Sequence, residues 1–266
     1  SSHNGFMSTS KALAFILALL CCFTSAVSGA PENSKQKPQS SYELMSAENK
    51  AMQDDASLNP AMFWVGDGET LWNKPSEKNG KSCASCHADV KKSMRGVATT
   101  FPKMIRGKLQ TLESQINQCR LQAQATTPLV YESKDLLALT ALVSYQSKGL
   151  PIAVRETPEN KAAMEKGRQT FYERMGQLNL SCAQCHEERA GLKLGGAVIP
   201  QGHPNAYPIY RIEWQTLGSL QRRLRNCMSG VRAQQFDYGS PEMAQLELFL
   251  ARRARGLPLE SPGVRP

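Results

Sequence analysis

Histidine is scarce here. The chain has four in 266 residues, at positions 3, 87, 186 and 203, so Cys/His zinc fingers are poorly supplied. The sequence also lacks a glycine-flanked aromatic motif of the RNA-binding kind and any long Lys/Arg tract. These absences set nucleic acid aside even though the net charge is +9. A basic surface then favours small anions or acidic protein partners. No apolar run reaches the ~20 residues that a spanning helix needs. The longest, residues 12–27, is interrupted by Thr24 and Ser25. Lys11 precedes it and Ser28-Gly29-Ala30 follows it, which is the pattern of an export signal cleaved after Ala30, with Met7 as a plausible start. Residues 31–57 are polar, with Pro, Ser, Lys and Gln, and read as an arm that is loose or wrapped on a partner.

Of the eight cysteines, Cys21 and Cys22 leave with the signal. The remaining six are not spaced as a simple disulfide framework. Cys83-Ala84-Ser85-Cys86-His87 and Cys182-Ala183-Gln184-Cys185-His186 are both C-x-x-C-H, the attachment sequence of c-type haem. Two thiols at this spacing add to the two vinyl groups of a haem, and the next residue, His87 or His186, supplies the proximal nitrogen. One such motif could be a redox pair or half of a zinc site; two in an exported chain point to two covalent haems.

The motifs sit in a repeated frame. Gly68 and Gly167 each stand 15 residues before the first cysteine of a motif, with Trp72 and Phe171 in matching places. After each motif come an aromatic-Pro pair (Phe101-Pro102, Tyr207-Pro208), a Gln-Thr-Leu tripeptide (110–112, 215–217), a lone cysteine (Cys119, Cys227) and a closing Gly-Leu-Pro (149–151, 256–258). Ser133 and Ser240 are good N-caps, the second followed by Pro241. Leu136, Leu139, Leu142 and Val143 form one helical stripe, and Met243, Leu246, Phe249 and Leu250 the other. The expected fold is mainly α: two tandem cytochrome c-like domains, 58–155 and 156–266, each around one covalent haem and related by internal duplication. A small domain with this many loops has little core of its own, so the haem becomes part of that core.

Each iron then needs a distal ligand or an open position. Cys119 lies 32 residues beyond His87, and Cys227 lies 41 beyond His186. They could form a disulfide between the halves, be inert buried thiols, or each bind iron as thiolate. Their matched places favour the last; Met104, Met228 and His203 are fallback ligands. Arg222, Arg223, Arg225 and Arg232 surround Cys227, with Arg211 upstream. Such cations stabilise a thiolate and bind oxyanions. Cys119 has only Arg120 close by, so the second site reads as a reaction centre for an anion and the first as an electron-transfer or relic haem.

Two C-x-x-C-H motifs, a cysteine some distance after each, and Arg-x-x-x-Cys at Arg223–Cys227 resemble the A subunit of the Sox cytochrome complex, SoxA, over about residues 58–258. The resemblance implies an L-cysteine S-thiosulfotransferase in the periplasm. It implies a heterodimer with a SoxX-type monohaem cytochrome c, and coupling of thiosulfate to a cysteine of the SoxYZ sulfur carrier, with electrons leaving to a downstream cytochrome c. By the same resemblance His87 and Cys119 ligate the first haem and His186 and Cys227 the second. Cys227 occupies the position found as a persulfide in the family, and Arg223 that of the active-site arginine. Two rival readings stay open: a thiosulfate dehydrogenase that forms tetrathionate, and a dihaem electron carrier with no catalysis of its own.

Overall fold

Two helices close the two halves of the chain, and both start at the serines that sequence marks as caps. The Ser133 hydroxyl accepts from the Leu136 N–H, and the Ser240 hydroxyl accepts from the Met243 N–H with Pro241 in the first turn. The computed structural model describes residues 1–2 and 37–266. The export signal and residues 31–36 of the arm lie outside the described residues. In chain order the helices are α1 (Ala47–Asp54), α2 (Met62–Asn73), α3 (Cys83–His87), α4 (Val90–Ser93), α5 (Leu112–Ala123), α6 (Lys134–Tyr145), α7 (Lys161–Tyr172), α8 (Cys182–His186), α9 (Leu220–Gly230) and α10 (Pro241–Arg253). The strands are short: β1 (Lys103–Ile105), β2 (Lys108–Gln110), β3 (Lys193–Leu194), β4 (Ala197–Val198), β5 (Ile209–Arg211), β6 (Thr216–Gly218) and β7 (Gly263–Arg265). Among the described residues no helix is long and apolar enough to cross a membrane.

In the first half α2 packs on α6, and in the second α7 packs on α10. The matched glycines are at these crossings. A Cβ on Gly68 would overlap the Ala138 carbonyl oxygen, and one on Gly167 would overlap that of Gln245. Only glycine lets the helix axes approach this closely. Leu137, Ala141, Leu142 and Trp72 then fill one core, and Met243, Leu246, Phe249 and Phe171 fill the other.

The cores are not sealed from each other. Leu217 of the second half is buried in the first core, and Ile152 and Val154 of the first are buried in the second. The two Gly-Leu-Pro segments also pair reciprocally. Gly149 N donates to Leu259 O at 2.7 Å and Gly256 N to Ile152 O at 2.9 Å; Ile152 N donates to Leu257 O and Leu259 N to Leu150 O, both at 2.9 Å. Each half thus makes to the other the bonds it receives. Residues 37–266 form one compact unit.

The arm needs correcting from residue 37 onward. It packs on the C-terminal strand of this same chain. Ser41–Leu44 is a 3-10 turn, and α1 lies against β7. Gln53, 2% exposed, accepts from Val264 N at 3.0 Å and from the Arg265 guanidinium. Polar composition concealed this, because buried hydrogen bonds to Val264 and Arg265 tie the segment down.

The Gln-Thr-Leu tripeptides are not structurally equivalent. In the first half Gln110 ends β2 and Thr111 caps α5. In the second, Gln215 sits at a hairpin tip, Thr216 and Leu217 enter β6, and the cap of α9 is Ser219. Counted from their caps, Cys119 and Cys227 both occupy the eighth position of their helix.

Candidate functional site

Each half contains a cavity beside its C-x-x-C-H helix. The first, about 1170 Å³ with its space open to solvent, is lined by Cys83, Cys86, His87 and Cys119. The second, about 1030 Å³ on the same measure, is lined by Cys182, His186, Arg223 and Cys227. Cys185 follows on α8, half-buried. Cys119 and Cys227 therefore face different cavities, and the six cysteines among the described residues are unpaired.

Both attachment helices begin with a capping box. Ser82 and Ser85 bond each other's backbone N–H, as do Ser181 and Gln184. Two orphan donors at each helix start are satisfied this way, which fixes a five-residue helix too short to persist alone. The Ser181-x-x-Gln184 pattern was legible in sequence.

The two histidines differ in setting. His87 is exposed, its ring 5.8 Å from that of Trp72. His186 is half-buried, and its Nδ1 lies 2.8 Å from Pro200 O. With Nδ1–H given to that carbonyl, Nε2 is the nitrogen left to bind a metal. Burial holds the His186 pKa down; Arg253 and Arg223 add to this, against the Pro200 bond. These effects favour the neutral imidazole, the form that ligates. Burial also pushes the Cys182 thiol up to about 12 and raises that of Cys83.

The wall facing each attachment helix is a single helical stripe. Leu112, Gln115, Ile116, Cys119, Arg120 and Ala123 of α5 line the first cavity. Leu220, Arg223, Leu224 and Cys227 of α9, with Met228 and the following Val231, line the second. The spacing is the same in both, so Gln115 stands where the second site has Arg223.

The arginine cluster read from sequence divides between two environments. Only Arg223 of that cluster lines the cavity. Arg222 stacks on Trp214 at 4.3 Å, and Arg225 lies over Tyr238 at 4.5 Å and donates to Phe236 O. Arg232 is exposed, and Arg211 pairs with Glu213 at 2.8 Å. A helix turns 100° per residue, so neighbours in such a run cannot all face one pocket. Arg265, which sequence reasoning missed, lines the second cavity from β7 while paired to Glu260 at 2.6 Å.

Of the fallback ligands, Met104 is turned from its cavity, while Met228 and His203 both line the second. Lys103 and Ile105 line the first cavity, while Met104 alternates to the other face of β1. Met228 is 4% exposed within the second core. His203 lines the second cavity next to Gly202, which packs on the His186 ring.

Both cavities fit a covalent haem by the chemistry of their donors: two thiols on one short helix, an imidazole beside them and a cysteine opposite. Gln115 Oε1 and Arg120 Nε at the first, and His203 Nδ1 at the second, are buried with no protein partner, as expected where a polar prosthetic group completes the wall.

A chain whose C-x-x-C-H helices flank apolar cavities in this way has the organisation of a c-type cytochrome. Comparison with known proteins gives the family. The model of the SoxA/TsdA cytochrome c domain matches twice, over residues 67–152 and 166–259. The SoxA subunit of L-cysteine S-thiosulfotransferase from Rhodovulum sulfidophilum is 34% identical over 85% of this chain and 80% of its own length. That from Allochromatium vinosum is 36% identical over 76% of this chain and 72% of its own. The crystal structure of SoxXA from P. pantotrophus superposes with a TM-score of 0.83 at 32% identity, covering 86% of this chain and 87% of that one. The chain belongs to the SoxA/TsdA cytochrome c family, among the SoxA subunits of L-cysteine S-thiosulfotransferase. Membership brings covalently bound haem c with it.

Proposed function

We propose that the chain is the dihaem catalytic subunit of a periplasmic complex that couples thiosulfate to a cysteine of a SoxYZ-type carrier. It would be exported by the leader ending at Ala30 and paired with a SoxX-type monohaem cytochrome c, the kind of assembly that the SoxXA structure represents. The two domains, 58–155 and 156–266, are products of internal duplication with one haem each. The doubled family match and the reciprocal pairing of the halves support this. Cys83 and Cys86 hold the first haem, with His87 and Cys119 as iron ligands. Cys182 and Cys185 hold the second, with His186 and Cys227.

The observation that carries the reading is the placement of Arg223 one helical turn before Cys227, both on the cavity face of α9. Arg223 holds the thiosulfate dianion by charge-assisted hydrogen bonds, and the net charge of +9 favours the approach of an anion. The apolar wall of Leu220, Leu224 and Leu250 limits water, which strengthens those contacts. Thiosulfate and the carrier thiolate join through one new S–S bond, and two electrons leave. When bound, the haem supplies the one-electron acceptor through which they pass to the partner cytochrome and a downstream cytochrome c.

The test is a haem-stained mass with low-temperature EPR of the mature protein, wild type and Cys227→Met. Two haems and a His/thiolate signal altered by the substitution are the expected result. An unchanged spectrum would remove Cys227 from the iron. Rapid formation of tetrathionate from thiosulfate alone, with no carrier, would move the assignment to a thiosulfate dehydrogenase.

A further inference from the structure

The two cavity stripes align residue for residue; Arg120 stands against Met228, and one further polar position differs in kind. On α9 it is Arg223, and on α5 it is Gln115. Each lies four residues before its cysteine, on the same face. Gln115 does more than occupy the place: its Nε2 donates to Cys119 Sγ at 3.2 Å, within reach of a sulfur acceptor. Its Oε1 is buried without a partner. Turning the amide over would set that oxygen against the sulfur lone pairs, so the donor orientation is the favourable one.

We infer that Gln115 is a positioning residue for the first haem: its amide hydrogen bond holds the Cys119 sulfur and sets the midpoint potential of that centre. The inference rests on Cys119 being a ligand. A sulfur that donates to iron stabilises the ferric state; a hydrogen bond to that sulfur draws electron density away and favours reduction. The amide does this without a net charge. Arg120 and Lys103 line the first cavity as well, but the place four residues before the sulfur, where the second site has Arg223, carries a neutral donor, and that sulfur is tuned for electron transfer.

The experiment is an EPR-monitored potentiometric titration of the mature haem-loaded protein in its complex, wild type, Gln115→Leu, Gln115→Arg and Cys119→Met. Leucine keeps the size and removes the donor; it should shift the first midpoint to more negative potential and leave the second unmoved. Arginine restores a donor with a charge and should shift the first midpoint the other way. A residue that merely packed would move neither. If both Gln115 variants keep the wild-type midpoint while Cys119→Met changes the EPR signal, Cys119 is a ligand and the role of Gln115 is overturned. If Cys119→Met leaves the signal unchanged, the ligation itself fails and the role falls with it.

Discussion

Gly167 faces the carbonyl oxygen of Gln245 with no room for a methyl group, and the side chain of Phe249 lies just beyond. The contact joins α7 to α10 and so fixes the wall behind the second cavity. Gly167→Ala should destabilise the protein by about 1–3 kcal/mol, toward the upper end because the obstructing atom is backbone. Gly68→Ala, against Ala138 in the first half, should behave alike. Denaturant midpoints of both variants check this; a stabilising alanine would contradict the crossing geometry.

Arg223 is the one member of its arginine run that lines the second cavity. Arg223→Ala should lower kcat/KM for thiosulfate roughly 10- to 150-fold, as for loss of about 1.5–3 kcal/mol of charge-assisted hydrogen bonding. Arg223→Lys should recover only part, since it keeps the charge but not the fork. Arg225→Ala, turned away from the cavity, should have the smaller effect. Steady-state kinetics with the carrier present distinguishes the three.

Glu247 is 8% exposed and hydrogen-bonded to Gln221 Nε2 at 2.7 Å. Burial raises its pKa well above the usual carboxylate range, and the charge of Glu113 raises it further. In the unfolded chain a glutamate titrates near ~4.3. Between that value and the raised folded one, the unfolded chain loses a proton that the fold retains, so stability falls as pH rises through the window. Glu247→Gln should flatten this slope and stabilise the protein at neutral pH. Denaturation midpoints across the window measure it.

Gln53 links α1 to β7 through Val264 and Arg265. Gln53→Leu leaves that buried backbone donor unpaired and weakens the hold on Arg265, at a cost of about 1–3 kcal/mol. The expected sign is faster proteolysis within residues 37–57 together with a lower denaturation midpoint. Unchanged protection would mean that apolar contacts, not this amide, hold the segment.

Sequence by itself determined what depends on near neighbours. The C-x-x-C-H motifs, the caps at Ser133 and Ser240 and the apolar stripes of α6 and α10 all follow from covalent spacing and the 3.6-residue period. Tertiary structure decided what depends on how the chain returns. The differing hairpins before α5 and α9 shift the tripeptide register, and only the fold showed that Gln115 and Arg223 both face their cavities. Helical rotation, with Trp214 and Tyr238 to stack on, turned Arg222 and Arg225 away from the pocket. The C-terminal strand brought in Arg265, more than thirty residues beyond Cys227. Local signals are set within a turn or two of chain, whereas a site built from distant segments exists only once burial and backbone pairing have joined them.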